Sequence, residues 1–400
     1  MDALSFSLFV ALVLAGGWAA SRLAQTARLP GILGMLVFGL LWGSFALDAV
    51  PPLAWDIEPF IKGLALISIL LRAGLGLRRR VLAKVGRTAL LLAVIPCTLE
   101  ALALMPLLHL VFGLDWLVAG LAAWMLAAVS PAVVVPTMLK LQAEGHGQKN
   151  HLPAMVLAGA SVDDVIAITF FAAFLVMVSG AGTSPDGLNS ALGTLGLVPL
   201  SVLGGILLGA AVGLALAWWL QRHYKKIRAT DKAMLIVMVS IVVVALGDWL
   251  SLASLLAVMT IGIILLERAE PVANEVAVKL AKFWIPAEIA LFVFIGLQVN
   301  PSVALETGLL GVLVIVGGLL ARTLGVLIAT GLDARLSWLE RWFCAAAYVP
   351  KATVQAALGA VPLSLGIAGG EVILSLAVIA ILFTAPLGLM LIRHLGPRLP

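Results

Sequence analysis

The sequence predicts an all-α polytopic membrane protein of about 13 transmembrane helices. Three observations carry that expectation. Hydrophobic residues make up 62% of the 400 positions and charged residues only 11%, where a soluble chain of this size carries roughly 25% charge. The apolar stretches between charges and turn residues run to about 20 residues, the length needed to cross a hydrocarbon core of ~30 Å. Few of them alternate with period two, which argues against a barrel.

In order, the apolar runs are 4–22, 30–48, 59–77, 88–111, 115–139, 152–179, 192–220, 232–247, 250–267, 281–298, 304–331, 341–361 and 369–393. The first has neither a basic leader nor a small-residue cleavage site, so no cleavable signal peptide is expected. The break at Gly247-Asp248-Trp249 rests on a very short turn. Two runs carry internal breakers: SPAVVVP at 130–136 and YVPKATVQAALG at 348–359. Pro131, Pro136 and Pro350 each lack a backbone donor, so both runs read as interrupted helices. Such interruptions are tolerated at bilayer depth only where they are buried in protein or line a cavity.

Charge fixes the orientation. Of the 25 Lys and Arg, 21 fall in alternate connections: Arg22/Arg28, Arg78 to Arg87, Lys140/Lys149, Arg222 to Lys232, Arg268 to Lys282, Arg335/Arg341 and Arg393/Arg398. The other connections hold Asp2, Asp48, Asp56, Glu58, Asp115, Asp186, Asp248, Glu306 and Glu371, with Lys62 at their edge. Basic loops stay in the cytoplasm, so the N-terminus is expected outside and the C-terminus inside. The net charge of +5 therefore reads as orientation, not as nucleic-acid binding. The run RHYKKIR at 222–228 reads as a solvated loop at the headgroups, a surface suited to anionic lipid. Every connection is short, so function must reside in the membrane.

Cys97 and Cys344 fall inside spans and read as small buried residues. The five histidines (His109, His146, His151, His223 and His394) sit in connections or at span ends and form no ligand cluster. There is no P-loop, no metal-spaced histidine set and no nucleophile–base pair, so neither an enzyme nor a cofactor is expected. Transport without an ATPase must draw on an ion gradient.

The charges left inside spans are Arg72, Glu100, Asp163, Asp164, Glu288, Arg322 and Lys351. Each costs at least ~2.5 kcal/mol at mid-bilayer and marks function by default. Asp163 and Asp164, in ASVDDVIAITFF, stand about 100° apart on one helix. One should face a cavity and the other a partner helix. A carboxylate that takes either a proton or a desolvated Na⁺ or Li⁺ couples the two by competition. The alternative is a structural salt bridge, for which one aspartate would suffice. Glu100, Arg322 and Lys351 supply compensating charge. Glu100 precedes Pro131 by 31 residues and Arg322 precedes Pro350 by 28. That spacing suggests two inverted six-span repeats, 1–6 and 8–13, around a linker span, with a site between two discontinuous helices. Glu100 and Arg322 either pair across the bundle or serve structure alone. Lys351 neutralises Asp163 or the meeting helix ends. Arg72 reads as snorkelling. Glu288 either lines an entry funnel or sits solvated at the interface.

These motifs resemble the monovalent cation:proton antiporter superfamily, in its Asp-Asp class. AAVSPAVVVPTMLKLQAEGHG followed by AGASVDDVIAITFF is similar to the NHA group of sodium/proton exchangers, as are AAAYVPKATVQAALG and LLRAGLGL. The resemblance runs over most of the chain. It implies the NhaA/NapA-like fold and a homodimer, with a dimerisation domain (1–87 and 229–298), a linker helix (192–222) and an ion-transporting core (88–180 and 304–396) that moves as an elevator. It implies that Asp164 binds the cation and proton and that Asp163 is its charge-paired neighbour. Ser130, Pro131, Pro350 and Thr353 in the broken helices would support the site. Arg322 stands where electrogenic Asp-Asp members carry a lysine, and Glu100 matches the glutamate that pairs with this arginine. Arginine cannot release a proton at accessible pH, so exchange is expected to be electroneutral unless Lys351 titrates. The expected function is Na⁺ (or Li⁺) exchange for H⁺ in an inner membrane of bacterial type, with anionic lipid at the dimer interface. The alternatives are K⁺/H⁺ exchange, Na⁺-coupled organic-anion symport, and a non-transporting sensor or channel.

Overall fold

The computed structural model describes residues 5–76, 79–181, 187–250 and 252–400. Asp2, Arg78 and Asp186 lie outside the described residues, and for Pro131 only the backbone is described. Among the described residues the regular structure is entirely helical. The chain runs through α1 (Phe6–Thr26), α2 (Gly31–Ala46), α3 (Pro52–Gly76), α4 (Arg79–Phe112), α5 (Trp116–Ala127), α6 (Pro131–Ala143), α7 (Leu152–Ala181) and α8 (Gly187–Arg222). It continues through α9 (Ala229–Trp249), α10 (Ser254–Arg268), α11 (Glu270–Gln298), α12 (Pro301–Gly331), α13 (Trp338–Ala347), α14 (Thr353–Leu358), α15 (Val361–Ser364) and α16 (Gly370–Leu395). Ten of these, among the described residues, are long and apolar enough to cross a membrane. In place of the fifth expected run stand two short helices, α5 and α6. The twelfth is divided among α13, α14 and α15.

Local chemistry explains the boundaries. Asp115 opens α5 by accepting the Leu117 N–H at 3.1 Å, and Asn300 does the same for α12 through Ser302. Ser337 and Glu340 form a reciprocal capping box at α13, satisfying two first-turn donors. The first interruption lies at Ala128–Ser130, ahead of both prolines rather than between them. Pro131 opens α6, where a missing N–H costs nothing, and Pro136 lies inside the helix. Helix α3 begins at Pro52, seven residues before the expected start, so Asp56 and Glu58 are helical rather than in a connection. Lys62 offsets the buried Glu58 through an i,i+4 ion pair and donates to Gln298 Oε1 at 2.6 Å.

Two compact units emerge. The first comprises Met1–Lys62, Val85–Asp163 and Pro286–Pro400. Within it α1 packs on α2, α12 packs on α13 and α16, and α14 lies against α5 and α16. The second comprises Gly63–Lys84 and Asp164–Ile285, and its main packing is α8 along α10. Gly205, Gly209 and Gly213 make that contact possible: a Cβ on Gly209 would fall 2.3 Å from the Ala257 carbonyl oxygen. Small residues at such seams let helix backbones approach within a bilayer.

A polar buckle joins helix ends in the first unit. Thr88 on α4 donates to Asp333 at 2.8 Å, and Arg335 donates to both Asp333 oxygens at 2.9 and 2.7 Å. Asn150, just before α7, donates to the Arg335 carbonyl and to Glu340 at 3.2 and 2.8 Å. The Arg335 hydrogen bonds, with that of Thr88, hold the Asp333 carboxyl well below the usual carboxylate range. A depressed folded pKa means the contribution is full above the unfolded value of ~3.9 and is lost on acidification below it. Asp333→Asn is therefore expected to lower stability in detergent by about 1 kcal/mol at pH 7. The gap should narrow below about pH 4 in thermal unfolding.

Candidate functional site

Helix α7 carries both aspartates into the protein interior, where Asp163 is fully buried and Asp164 is 2% exposed. Asp163 Oδ1 lies 3.2 Å from an Arg322 guanidinium nitrogen, and its Oδ2 accepts the Val129 N–H at 3.1 Å. Arg322, on α12, also donates through Nε to Glu100 Oε2 and through its other terminal nitrogen to the Ala127 carbonyl. Glu100, on α4, receives Lys351 Nζ on the same Oε2 at 2.7 Å. The cluster therefore holds two acids and two bases, each no more than 1% exposed. Its formal charge is zero, which makes four ionic groups tolerable in a dry interior. The planar fork of arginine serves three acceptors at once, which a lysine ammonium could not do with that geometry.

Tyr348 packs beside this arrangement, its ring centre 5.7 Å from Arg322 Cζ. Its hydroxyl presses on α7 at Gly159, one turn before Asp163, where a Cβ would fall 2.2 Å from Tyr348 Oη. Any side chain at Gly159 would force that hydroxyl to move.

The two broken helices meet at the cluster. Ser130 N–H donates to the Pro350 carbonyl at 2.9 Å, and Lys351 N–H donates to Thr384 Oγ1 at 2.8 Å. The broken end of α5 poses a particular problem, because the last four carbonyls of a helix have no intrahelical donor. Ala127 O is taken by Arg322. Met125 O, Leu126 O and Ala128 O accept from Gln355 Nε2 at 3.0, 3.4 and 2.9 Å. Two side chains thus close the negative end of that half-helix. Ser130 Oγ and Thr353 Oγ1, also in the breaks, are buried with no hydrogen-bond partner among the described residues.

Cys97, on α4, lies beside the cluster, its Sγ 4.0 Å from the Asp163 carbonyl oxygen. Glu288 lines a cavity of about 300 Å³ with Ser21, Gln25, Thr137, Pro136 and Arg393. Arg72 is exposed, its Cζ 5.7 Å from the Trp284 ring centre in the second unit. Cys97 and Cys344 are free and buried. Sequence reasoning passed over Gln355 and Tyr348, although both stand in the quoted run YVPKATVQAALG. A glutamine in an otherwise apolar half-helix, four residues after a lysine, was the available signal.

The buried acid–base cluster thus sits where the two broken helices meet. The family profile described as "Sodium/hydrogen exchanger, transmembrane" matches residues 9–395. The chain belongs to the sodium/hydrogen exchanger family. It is accordingly a multi-pass membrane protein of a transporter family. It is 33% identical over 402 residues to sodium/hydrogen exchanger 9B1 of Homo sapiens, covering 94% of this chain and 74% of that protein. Sodium/hydrogen exchanger 9B2 of Mus musculus is 32% identical over 383 residues, covering 92% and 68%. The fold matches the sodium proton antiporter MjNhaP1 from Methanocaldococcus jannaschii at pH 8, with a TM-score of 0.76 over 98% of this chain and 97% of that one, at 21% identity. The all-helical antiporter fold expected of this exchanger-family chain is the fold observed.

Proposed function

We propose that this protein exchanges Na⁺ (or Li⁺) for H⁺ by competition at Asp164. The observation that carries the reading is the engagement of Asp163 by Arg322 and the Val129 N–H at the junction of the two broken helices. With Asp163 committed to that network, the next residue is turned about 100° around the same helix. It is the carboxylate assigned to bind either a proton or a dehydrated monovalent cation. Ser130 and Thr353 supply neutral oxygens, while Pro131 and Pro350 shape the breaks. Glu288 lines the cavity through which cations arrive.

Transport follows an elevator scheme. The core, 88–180 and 304–396, carries the ion against a dimerisation domain, 1–87 and 229–298, with 192–222 as linker. The working form is a homodimer in an inner membrane, N-terminus outside and C-terminus inside, with anionic lipid between protomers. Inverted six-helix repeats underlie the two broken helices.

Stoichiometry follows from Arg322. An arginine stays charged throughout the cycle, and Lys351 is held by Glu100 at 2.7 Å, so one proton moves per cation and exchange is electroneutral. The test is ion flux in proteoliposomes with Na⁺, Li⁺ and K⁺ under imposed membrane potentials. Reciprocal proton movement with Na⁺ and Li⁺, at a rate and endpoint independent of voltage, is expected. A strong voltage dependence would remove the electroneutral reading. Flux without proton counter-movement would indicate a channel, and a preference for K⁺ would reassign the cargo.

A further inference from the structure

Gln355 is the polar side chain in this region whose two ends have different fates. It is fully buried. Its amide faces three carbonyls, Met125 O, Leu126 O and Ala128 O. Carbonyls accept only, so the group facing them must be the NH₂, and that fixes the amide orientation. Oε1 then points away from α5, and it has no hydrogen-bond partner among the described residues. A buried amide oxygen left without a donor costs about 1–3 kcal/mol. Yet the side chain cannot rotate to relieve it without abandoning three acceptors. The oxygen is thus held in place at a standing cost.

Ser130 Oγ and Thr353 Oγ1 share the condition: buried in the same two breaks and without a partner among the described residues. Three hard, neutral oxygens, of Ser130 ahead of α6 and of Thr353 and Gln355 in α14, are thus buried and unclaimed among the described residues. Hard oxygen ligands suit small, hard cations, and a ligand that is already dehydrated and fixed costs little to organise. At the end of α5 the carbonyls of Met125, Leu126, Ala127 and Ala128 already accept from Gln355 and Arg322.

We propose that Gln355 Oε1 is a direct ligand of the transported cation, oriented by the grip of its own amide nitrogen on the end of α5. One side chain thereby does two jobs. It closes the carbonyl end that would otherwise attract cations unproductively, and it presents one oxygen to the cation that is carried. This rests on the reading of the protein as a cation/proton exchanger.

The test compares Gln355→Asn and Gln355→Glu with wild type in proteoliposomes, measuring KM and kcat for Na⁺ and Li⁺. Gln355→Asn keeps the amide but shortens the side chain, so the oxygen retreats from the cation. It is expected to raise the KM for Na⁺ about tenfold with kcat within threefold, and to change the Na⁺/Li⁺ ratio of KM. Gln355→Glu keeps an oxygen but loses the amide donor that grips the α5 carbonyls and orients it, and is expected to raise the KM for Na⁺ as well. Should either variant fail to reconstitute, Na⁺-dependent thermal stabilisation in detergent replaces flux: a midpoint shifted in the same directions supports the proposal. Na⁺ midpoints or KM values within twofold of wild type in the recovered variants, with an unchanged Na⁺/Li⁺ ratio, would reduce Gln355 to a helix cap. Asp164→Asn separates the two levels. An active Asp164→Asn protein defeats the exchange reading. A dead Asp164→Asn protein alongside a wild-type KM in Gln355→Asn defeats only this inference.

Discussion

Asp164→Asn is expected to fold, to insert, and to exchange no ions above background. Asparagine keeps the size of the side chain and can hydrogen-bond, but it neither ionises nor takes up a proton. The competition that couples the two fluxes then has no group to act on. Burial makes the substitution mild for the fold, since a neutral amide is easier to hold in a dry interior than a carboxylate. Thermal stability at neutral pH should therefore be equal to or above that of wild type, while proteoliposome flux of Na⁺ against H⁺ disappears. Asp163→Asn is expected to behave differently. It leaves Arg322 short of one of its two carboxylate partners, so stability falls together with activity. If Asp164→Asn transports normally, the assignment of the working carboxylate is wrong.

The second large effect lies in the charge cluster. Glu100→Gln removes the shared acceptor of Arg322 and Lys351 and leaves one net positive charge in a fully buried place. Lys351→Met leaves one net negative charge. Each is expected to cost about 3–5 kcal/mol, because an uncompensated buried charge is far worse than none. The double variant restores neutrality. It should cost less than the sum of the singles by about 2 kcal/mol, seen as recovered yield and a recovered thermal midpoint in detergent at matched scan rate. Strictly additive losses would mean that the two side chains do not share a charge balance. The cycle also bears on stoichiometry: if the double variant transports, Lys351 has no obligatory proton to give.

Much of this was legible in the residues. Apolar runs report the membrane directly, because each residue contributes independently to transfer free energy. That two runs are broken followed from proline, which acts locally, although the first break lies ahead of Pro131 and Pro136 stays inside α6. Glu100, Arg322, Lys351 and Asp163 could be named because a charge in a lipid-length run is costly wherever its partner lies. Which charges touch was not legible. Lys351 falls on Glu100 rather than on Asp163, a matter of how α4 and the α13–α14 break pack and not of sequence spacing. The early start of α3 was hidden because Asp56, Glu58 and Lys62 lower its hydropathy, and their neutralisation depends partly on Gln298 far along the chain. Gln355 escaped notice for a related reason. An amide carries no charge to flag it, and its importance appears only once the carbonyls it faces are known.

The cluster also imposes an order on how the protein is made. Glu100 is synthesised 222 residues before Arg322 and 251 before Lys351. At translation speeds of about 5–20 residues per second, it waits roughly ten to fifty seconds in the bilayer for its first cation. Arrival of α12 then supplies the guanidinium that pairs with it. The last third of the chain thus acts as a lock on the first. A ribosome that stalls after α7 leaves a nascent protein with Glu100, Asp163 and Asp164 all inserted and neither Arg322 nor Lys351 yet made.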